Sequence, residues 1–432
     1  MKVAAFLPAK GSSHRIPNKN TMLLDGEPMF LRTLAKLATI RAIDDVYLDT
    51  DSQDIADLAA DVRCHVLKRP SELASNQTDG HALFAWEVAH TDADICVQIL
   101  CTSPFLTRET IERAIAVLRD DARYDSVVAV RREKQYLWRD GQPTYDKQRI
   151  PNSVDLPDTI VEAMSLYVVR RETVQQTRRR IGDRPYLLEL EPLEAIDVNW
   201  PKDFELANLI AVGLREQDRR LLHNIRQLLS SPLLSDILDD MKIAGVLSST
   251  FSVNVPHAKV LGRAKTIQID ACPDDSQFHR IYDTLTLYDH VVANDVIVVA
   301  NNVPEFAFFG ELNANLAIRA GAVGAIIDGV TRDSKETTDL LFPVFSKGRY
   351  CKDTRRRGIM TSKNRPVVID GITIQKDDLV FADRDGIVVI PKAVEREVIE
   401  RALRAMTDER KILIDIAQGA DTTTLVQKYG FF

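Results

Sequence analysis

Two strings of residues, far apart on the chain, have the types and spacing needed to bind phosphate and metal. The first, residues 9–20, follows the apolar run of residues 3–7 and contains a Gly11-Ser12-Ser13 turn among three cations, Lys10, Arg15 and Lys19. At the carboxyl end of a strand, such a turn presents backbone N–H groups to an anion while the cations neutralise its charge. This string predicts a site for a nucleoside triphosphate.

The second string is Asp328-Gly329-Val330-Thr331-Arg332-Asp333. Its adjacent guanidinium and carboxylate can bring positive charge and a divalent metal to one substrate oxygen, as the stabilisation of an enolate requires. An ordinary ion pair between neighbours in a loop is the alternative interpretation. Together, the two strings predict a chain with two enzymatic sites.

Nucleotidyl transfer also needs a divalent ion for the charge that develops on the departing pyrophosphate. Asp197 is a hard oxygen ligand of the kind that Mg²⁺ prefers. The turn Asp49-Thr50-Asp51 permits two interpretations, which are the paired aspartates of a metal-binding glycosyltransferase and the end of a strand. Neither His279 nor His290 has a partner at metal-ligand spacing.

The composition bounds the class of protein. With 432 residues, 45% of them hydrophobic and 28% charged, the chain is typical of globular proteins and long enough for two or three domains. The formal charge of -7 argues against a general nucleic-acid binder, so no nucleic-acid partner is expected. The arginine clusters at residues 178–180 and 355–357 are either solvated surface or anion-binding sites.

Cysteine usage and hydropathy add further exclusions. The five cysteines include no Cys-x-x-Cys pair, which argues against a disulfide framework and a structural zinc site. The sequence contains no run of about 18 or more apolar residues, so no membrane partner is expected. These observations favour a cytoplasmic location.

The order of apolar and amphipathic stretches predicts an α/β fold. In the first half this order is typical of a parallel sheet with helices on both faces. Strands are expected at residues 3–7, 45–49, 95–100 and 125–130, with helices at residues 28–39, 53–60, 80–90 and 108–120. In the second half, strands are expected at residues 259–269, 295–300, 325–327, 367–369, 379–382 and 386–390, with helices at residues 234–241, 313–320 and 393–416.

A charged helical stretch over residues 203–229 separates the two halves and ends at Ser230-Ser231-Pro232. The predicted domains are residues 1–218 and residues 233–432, and residues 219–232 form a helical linker between them.

The N-terminal half resembles the CMP-sialic acid synthetase (acylneuraminate cytidylyltransferase) family. The family's opening pattern matches residues 8–20, and further matches lie at residues 69–74, 102–106 and 194–199. The resemblance covers about residues 1–212 and implies a Rossmann-like nucleotidyltransferase sheet. It implies that Lys10 contacts the α-phosphate of CTP and Lys19 the outer phosphates. It further implies that the nucleotide is contacted by Gly11, Ser12, Ser13, Arg15, Asn20, Arg69, Thr102 and Ser103, with Asn20 and Arg69 on the cytidine.

Two positions depart from this family's pattern. Lys10 stands where the family usually has Arg, which replaces a planar fork by a point charge. Asn199 stands where the family has the second of two aspartates, so Asp197 and Asn199 are the implied ligands of the Mg²⁺ that accompanies CTP. The region of the family's acceptor pocket and dimer contact contains a set of cations, Arg131, Arg132, Lys134, Arg139, Arg149 and Arg184.

The C-terminal half resembles the 4-hydroxy-4-methyl-2-oxoglutarate aldolase superfamily, which also includes non-catalytic, RraA-like inhibitors of ribonuclease E. Matching strings lie at residues 235–239, 262–264, 310–312, 321–325, 328–333, 343–345 and 382–386. The resemblance implies an α/β domain of the swivelling β/β/α type. It implies that Asp333 anchors Mg²⁺ or Mn²⁺, that Arg332 binds a 2-keto acid, and that N–H groups at Leu312 and Asn313 hold the acid's carboxylate. Glu311, where the aldolase pattern has Asp, is assigned to orient a metal-bound water.

The leading hypothesis is a bifunctional enzyme. Its N-terminal half would join CTP to a sialic-acid-like, 2-keto-3-deoxy sugar acid, and its C-terminal half would act as an aldolase on a related 2-keto acid such as pyruvate. The alternative is the same N-terminal enzyme with a catalytically silent C-terminal module for oligomerisation or binding. Both resemblances imply a homo-oligomer, whether a dimer, a trimer or a hexamer.

Overall fold

The computed structural model describes residues 1–60, 62–75 and 77–430, apart from the side chain of Asp275. The chain divides into two compact units, Met1–Gly213 and Leu214–Phe432. Residues 431 and 432, the end of the second predicted domain, lie outside the described residues. The predicted limits of the domains and of the linker between them stay a prediction.

The first unit alternates strands and helices. Its strands are β1 (Val3–Pro8), β2 (Leu23–Leu24), β3 (Glu27–Pro28), β4 (Asp45–Thr50), β5 (His65–Lys68), β6 (Ile95–Ile99), β7 (Ser126–Glu133), β8 (Trp138–Arg139), β9 (Gln142–Pro143), β10 (Thr159–Arg170) and β11 (Pro185–Glu189). Its helices are α1 (Met29–Leu37), α2 (Gln53–Leu58), α3 (Gly80–Val88), α4 (Arg108–Asp120), α5 (Arg171–Thr177) and the start of α6 (Pro201–Arg226). Short 3₁₀ helices lie at Lys19–Thr21, Ser71–Ala74 and Ser153–Asp155.

The main sheet of this unit has the strand order β11-β7-β10-β6-β1-β4-β5. Strand β1 runs parallel to β4 and β6, whereas β10 runs antiparallel to both β6 and β7. The sheet is mainly parallel, as predicted, and β10, at which the sequence predicted no strand, is the antiparallel member. The chain leaves β7 and returns through the β8–β9 hairpin without a crossover helix, so it enters β10 in the opposite direction.

Both faces of this sheet are covered by helices, as predicted. Alternate residues of β1 point to opposite faces. Val3, Ala5 and Leu7 pack in one apolar cluster with residues of α1 and α4, and Ala4 and Phe6 pack in another with residues of α3. Because β1 runs parallel to β4 and β6, the carboxyl ends of these three strands meet at one edge of the sheet.

The second unit is also an α/β structure, so the predicted fold class is confirmed in both units. Its strands are β12 (Ser252–Val253), β13 (Val260–Ala271), β14 (Asp295–Asn301), β15 (Gly324–Thr331), β16 (Val344–Arg349), β17 (Gly358–Lys363), β18 (Val367–Ile369), β19 (Ile372–Ile374), β20 (Leu379–Ala382) and β21 (Ile387–Ile390). After α6, its helices are α7 (Ser231–Asp240), α8 (Glu311–Ala320), α9 (Ser334–Asp339), α10 (Glu395–Ala417) and α11 (Thr422–Tyr429), with a 3₁₀ helix at Asp275–Leu287.

The sheet of the second unit has the order β12-β16-β15-β14-β13-β20-β21, and β17 also pairs with β13. Strands β13, β14, β15 and β16 run parallel to one another. Strands β17 and β20 pair antiparallel with β13, β12 pairs antiparallel with β16, and β21 pairs antiparallel with β20. Ile297 and Val299 of β14 face one apolar cluster and Val296 and Val298 face another, so this strand is buried on both sides.

Part of the predicted linker packs in the core of the second unit. Leu222, Ile225 and Leu229 lie in one buried cluster with side chains of α7, α10, β20 and β21. Among the described residues, no helix has the length and apolar character needed to cross a bilayer.

Candidate active sites

In the first unit, the Gly11 turn lies directly after β1, against the carboxyl end of β4. The N–H of Ala9 donates to the carbonyl of Asp49 at 2.8 Å, and the N–H of Gly11 donates to Asp51 Oδ1 at 2.8 Å. A Cβ on Gly11 would lie 2.7 Å from the Cβ of Ser52. Only glycine therefore allows this turn to approach β4 so closely.

Asn20 connects this turn to the end of β6. Its Nδ2 donates to the carbonyl of Lys10 at 2.7 Å, and its Oδ1 accepts from Cys101 Sγ at 3.1 Å. Burial raises the pKa of Cys101 to about 11, which keeps the thiol protonated as a donor. The structure thus brings Lys10, Asn20 and the loop after β6 together, with the amide of Asn20 engaged inside the protein.

Lys19 lies beside the segment that precedes α6. Its Nζ donates to the carbonyl of Val198 at 3.2 Å. Burial lowers the pKa of Lys19, and the fields of Cys101 and Asp197 oppose that effect. The guanidinium of Arg15 lies 5.7 Å from the ring centroid of Trp200 in the same region. Two of the three predicted cations therefore lie at the segment that contains Asp197.

Asp197 has one carboxylate oxygen engaged and one unengaged. Oδ2 accepts from the amide of Asn199, whereas Oδ1 is buried and has no hydrogen-bond partner in the described chain. No group of three or more potential metal-ligating side chains occurs among the described residues. An orphaned hard oxygen next to cations fits an Mg²⁺ ion that takes one protein carboxylate and completes its shell with phosphate and water.

The Asp197 segment is held in place by Glu194, which the sequence analysis placed in a matching string but not in the site. Its Oε1 accepts from the N–H and hydroxyl of Thr107 at 2.8 and 2.6 Å, and its Oε2 accepts from the hydroxyl of Thr110 at 3.1 Å. One residue beyond Asp197, the N–H of Val198 donates to the carbonyl of Thr102 at 2.8 Å. These bonds fix the segment to the start of α4 and to the loop after β6.

Thr102 and Ser103, predicted nucleotide contacts, lie in this loop. Thr102 is half-buried and uses its carbonyl for Val198. The hydroxyl of Ser103 is buried and, like Asp197 Oδ1, has no hydrogen-bond partner in the described chain. Ser12 is exposed, while Ser13 is half-buried and accepts weakly from the N–H of Ile16 at 3.5 Å.

Arg69 lies inside the unit rather than on the open edge. Its Nε and Nη2 donate to the two carboxylate oxygens of Asp49 at 2.8 and 2.7 Å, and both side chains are buried. An open cleft of about 570 Å³ adjoins it, lined by Asp51, Lys68, Arg69, Pro70, Ser71 and Ala74. Because the Asp49 carboxylate is used by Arg69, the interpretation of Asp49-Thr50-Asp51 as a metal-binding pair receives no support.

Glu87 belongs to the same buried network, and sequence reasoning missed it. Gln98 Nε2 donates to Glu87 Oε2 at 2.6 Å. Burial raises the pKa of Glu87 well above its usual value, and the neighbouring Asp49 raises it further. The available signal was a single carboxylate near the end of the apolar stretch of α3.

In the second unit, Arg332 and Asp333 follow β15 and lie against the first turn of α8. Asp333 Oδ2 accepts from the N–H of Glu311 at 3.2 Å and lies 3.5 Å from Arg332 Nε. A Cβ on Gly310 would lie 2.4 Å from Asp333 Oδ2, so this position admits only glycine unless the carboxylate moves. Arg332 Nη1 also pairs with Asp353.

Two of the predicted keto-acid contacts are the backbone N–H groups of Leu312 and Asn313 in α8. The first N–H groups of a helix lack partners within the helix, and those of Leu312 and Asn313 belong to the first turn of α8. The side chain of Asn313 is engaged separately, since its Nδ2 donates to the carbonyl of Phe308 at 2.9 Å. An open cleft of about 460 Å³ adjoins the Arg332–Asp333 pair, lined by Thr331, Arg332, Asp333, Ser334, Arg349, Tyr350 and Cys351.

The donor set in the second unit fits a hard divalent cation. The carboxylate of Asp333 is exposed, and Glu311 is the first residue of the adjacent helix. Both supply oxygen ligands of the type that Mg²⁺ and Mn²⁺ accept. The structure therefore places Arg332 and Asp333 beside the first turn of α8, which contains Glu311 and Leu312.

We predict that Glu194→Ala destabilises the first unit by roughly 2–4 kcal/mol, because three hydrogen bonds to a buried carboxylate are lost. Burial acts to raise the pKa of Glu194, but the bonds from Thr107 and Thr110 outweigh it and hold the pKa below its usual value. This contribution is therefore present above the unfolded pKa and is lost as the pH falls through the folded pKa.

Chemical denaturation of wild type and variant, at neutral and acid pH, measures this effect. Glu112→Ala, on the exposed side of α4, is the matched control and should change stability little. A stability difference between wild type and Glu194→Ala that stays constant into acid would contradict the assigned role of the carboxylate.

Comparisons with known proteins agree with this division. A family model described as "Cytidylyltransferase" matches residues 4–191, and one described as "Aldolase/RraA" matches residues 232–389. The chain is 30% identical over 192 residues to "Protein DlpA" of Legionella pneumophila, covering 44% of this chain and 31% of that protein. It is 29% identical over 177 residues to the "Putative 4-hydroxy-4-methyl-2-oxoglutarate aldolase" of Halalkalibacterium halodurans, covering 41% of this chain and 79% of that protein.

A third relative matches 48% of this chain. The chain is 24% identical over 215 residues to "N-acylneuraminate cytidylyltransferase A" of Danio rerio and spans 50% of that protein's length. It thus spans half or less of two of these three relatives. From these matches, residues 4–191 are a cytidylyltransferase domain and residues 232–389 are an RraA-like aldolase domain.

Proposed function

We propose that the first unit transfers a cytidylyl group from CTP to a sugar acid of the 2-keto-3-deoxy, sialic-acid-like class and releases pyrophosphate. The observation that carries this proposal is the buried, unpartnered Oδ1 of Asp197 in the same region as the ammonium of Lys19. An anion site with a preformed metal ligand suits a triphosphate better than it suits an uncharged substrate.

In the proposed reaction, Lys10, Arg15 and Lys19 neutralise the triphosphate, and the N–H groups of the Gly11 turn approach its oxygens. The anomeric hydroxyl oxygen of the sugar acid forms a bond to the α-phosphorus as the bond to the bridging oxygen breaks. Pyrophosphate leaves, and the hydroxyl proton is released to solvent. Asp197 and Asn199 would hold Mg²⁺, which would supply charge stabilisation for the departing pyrophosphate.

The cytidine is assigned to the region of the Gly11 turn and the loop after β6, where Asn20, Thr102 and Ser103 lie. The buried hydroxyl of Ser103 supports this assignment, because an unpaired buried donor is costly unless a ligand engages it. Arg69, which is held in place by its ion pair with Asp49, is proposed to lie at the inner side of this region.

We expect pyrophosphate release when the chain is incubated with CTP, Mg²⁺ and a suitable sugar acid, and we expect Asp197→Asn to lower kcat/KM by at least roughly 100-fold. Asparagine keeps the shape of the side chain and removes the charge that binds the metal. Asp120→Asn, at the exposed end of α4, is the matched control and should retain activity. No turnover with any member of a broad sugar-acid panel would contradict the proposal.

A second prediction concerns the pH dependence of CTP binding. Since burial lowers the pKa of Lys19, its ammonium is lost at a lower pH than that of an ordinary lysine, and the KM for CTP should rise as the pH increases through that value. Lys19→Arg keeps the positive charge throughout and should flatten this alkaline rise. Lys202→Arg, an exposed position on α6, is the control and should follow wild type. Parallel profiles for Lys19→Arg and wild type would assign the rise to another group.

We propose that the second unit acts as a metal-dependent aldolase on a 2-keto acid such as pyruvate. Asp333 is assigned to the Mg²⁺ or Mn²⁺, Arg332 to the keto oxygen, and the first-turn N–H groups of α8 to the carboxylate. Glu311 is assigned to orient water. Such a metal would supply the charge that stabilises an enolate.

A silent binding module is the second candidate function, and one observation favours it. Arg332 is paired with Asp353, so its guanidinium is already occupied in the absence of a substrate. An aldolase would have to exchange this ion pair for the substrate's keto oxygen.

We expect the chain to release pyruvate from 4-hydroxy-2-keto acids when Mg²⁺ or Mn²⁺ is added, and we expect Asp333→Asn to abolish this release. Asparagine tolerates the left-handed backbone of this position, where φ is 50°, so the variant should fold like wild type. Asp240→Asn, at the exposed end of α7, is the control and should stay active. Equal release by wild type and Asp333→Asn would favour the silent module.

A further inference from the structure

Arg180 is a cation of the first unit whose guanidinium has no carboxylate within ion-pairing distance among the described residues. Its Cζ lies 4.1 Å from the ring centroid of Tyr167, and its Nη2 lies 3.9 Å from Met164 Sδ. The N–H of Arg180 donates to His81 Nδ1 at 3.2 Å, which fixes the backbone. The guanidinium contacts an aromatic face and a thioether, and the charge of Asp79 acts on it only from beyond ion-pairing distance.

The start of α3 leaves room for this guanidinium. A Cβ on Gly80, the first residue of α3, would lie 2.5 Å from Arg180 Nη1 and 2.7 Å from its Cζ. The N-terminus of a helix carries partial positive charge, so a cation is disfavoured there. Asp79 offsets part of this charge, but its Oδ1 is already engaged by the N–H groups of His81 and Ala82. A bound anion would offset the positive charge of Arg180 and of the N-terminus of α3.

Tyr167 and Met164, the two side chains that contact the guanidinium of Arg180, belong to β10. The side chain of Tyr167 is fully buried, and its hydroxyl lies in the electrostatic fields of both Arg180 and Asp197. The hydroxyl donates to Glu162, so that carboxylate is engaged by Tyr167. Met164, which contacts Arg180, precedes Ser165, and the carbonyl of Ser165 accepts from the N–H of Leu100 at 2.9 Å. Arg180 therefore lies near the carboxyl end of β6, close to the loop that contains Thr102 and Ser103.

Three other arginines of the first unit form ion pairs with carboxylates. Arg179 pairs with Asp183 at 2.6 Å, and Arg131 pairs with Glu133 at 3.1 Å. Arg132 pairs with both Asp158 and Glu189. Arg139 and Arg149 of the predicted acceptor set have no ion pair among the described residues, but both are exposed, whereas Arg180 is half-buried and held against Tyr167. Arg180 is therefore better ordered to receive an external anion.

We infer that Arg180 binds the carboxylate of the sugar acid and so determines the selectivity of the first unit for acidic over neutral acceptors. This inference rests on the proposed cytidylyl transfer. The planar fork of a guanidinium matches a carboxylate with two parallel N–H···O bonds, and stacking on Tyr167 orients that fork. Arg180 is a specificity-determining residue, distinct from the residues that neutralise the triphosphate.

Arg180→Met, which removes the charge and keeps the length, should raise the KM for the sugar acid by about 10- to 100-fold and leave the KM for CTP within about threefold of wild type. Arg180→Lys, which keeps a point charge without the fork, should give an intermediate increase. Arg179→Met is the matched control, since it removes an adjacent and already paired arginine, and both KM values should remain close to wild type.

Gly80→Ala provides a second perturbation that retains the arginine. The added methyl group would displace the guanidinium from its place at α3 and should also raise the KM for the sugar acid selectively. Unchanged KM values for the sugar acid in Arg180→Met and Gly80→Ala would overturn the inference. So would a parallel loss of affinity for CTP, which would indicate a general structural effect.

The two proposals fail in different ways. If wild type releases no pyrophosphate with any sugar acid, cytidylyl transfer is contradicted, and the role of Arg180 in it is contradicted as well. If wild type turns over and Arg180→Met has the wild-type KM for the acid, cytidylyl transfer stands and only the assignment of Arg180 is wrong.

Discussion

The first unit depends on one electrostatic constraint, which is that the half-buried ammonium of Lys19 binds the carbonyl of Val198 and lies in the field of the adjacent Asp197. Burial disfavours the charged form of Lys19 and lowers its pKa, whereas the charge of Asp197 favours the ammonium. The buried Oδ1 of Asp197 leaves this balance incomplete in the protein alone. A nucleotide with its metal would supply both the missing cation for Asp197 and the missing anions for Lys19.

This constraint explains why so much local structure serves to position a few side chains. Glu194 anchors the Asp197 segment to α4, Asn20 ties the turn after β1 to the end of β6, and Gly11 admits the close approach to β4. Each contact joins segments that are distant in sequence but end at the same edge of the sheet. The parallel directions of β1, β4 and β6 make that edge possible.

The sequence predicted those features that have a local signature. The strands β1, β4 and β6 are short apolar runs, and the helices between them have clear apolar spacing, so their positions were found within a few residues. The direction of β10 was not predicted, because strand direction depends on the path of the chain through the β8–β9 hairpin. Strands β16 and β17 were also missed, since glycine and charged residues interrupt their apolar pattern. The Arg69–Asp49 pair and Glu87 depend on long-range packing, and no spacing along the chain reveals which buried charges meet.

Asp333 has a left-handed backbone, and this conformation does not require the negative charge of its side chain. Asparagine adopts this conformation as readily as aspartate does, and its side-chain oxygen can still accept from the N–H of Glu311, so it would leave the turn between β15 and α9 unchanged. Replacement of Asp333 by asparagine can therefore remove the negative charge of the side chain while the backbone keeps its conformation. Such a change would stop any reaction that needs a metal ion at Asp333, and it would leave the outer surface of the domain available for binding.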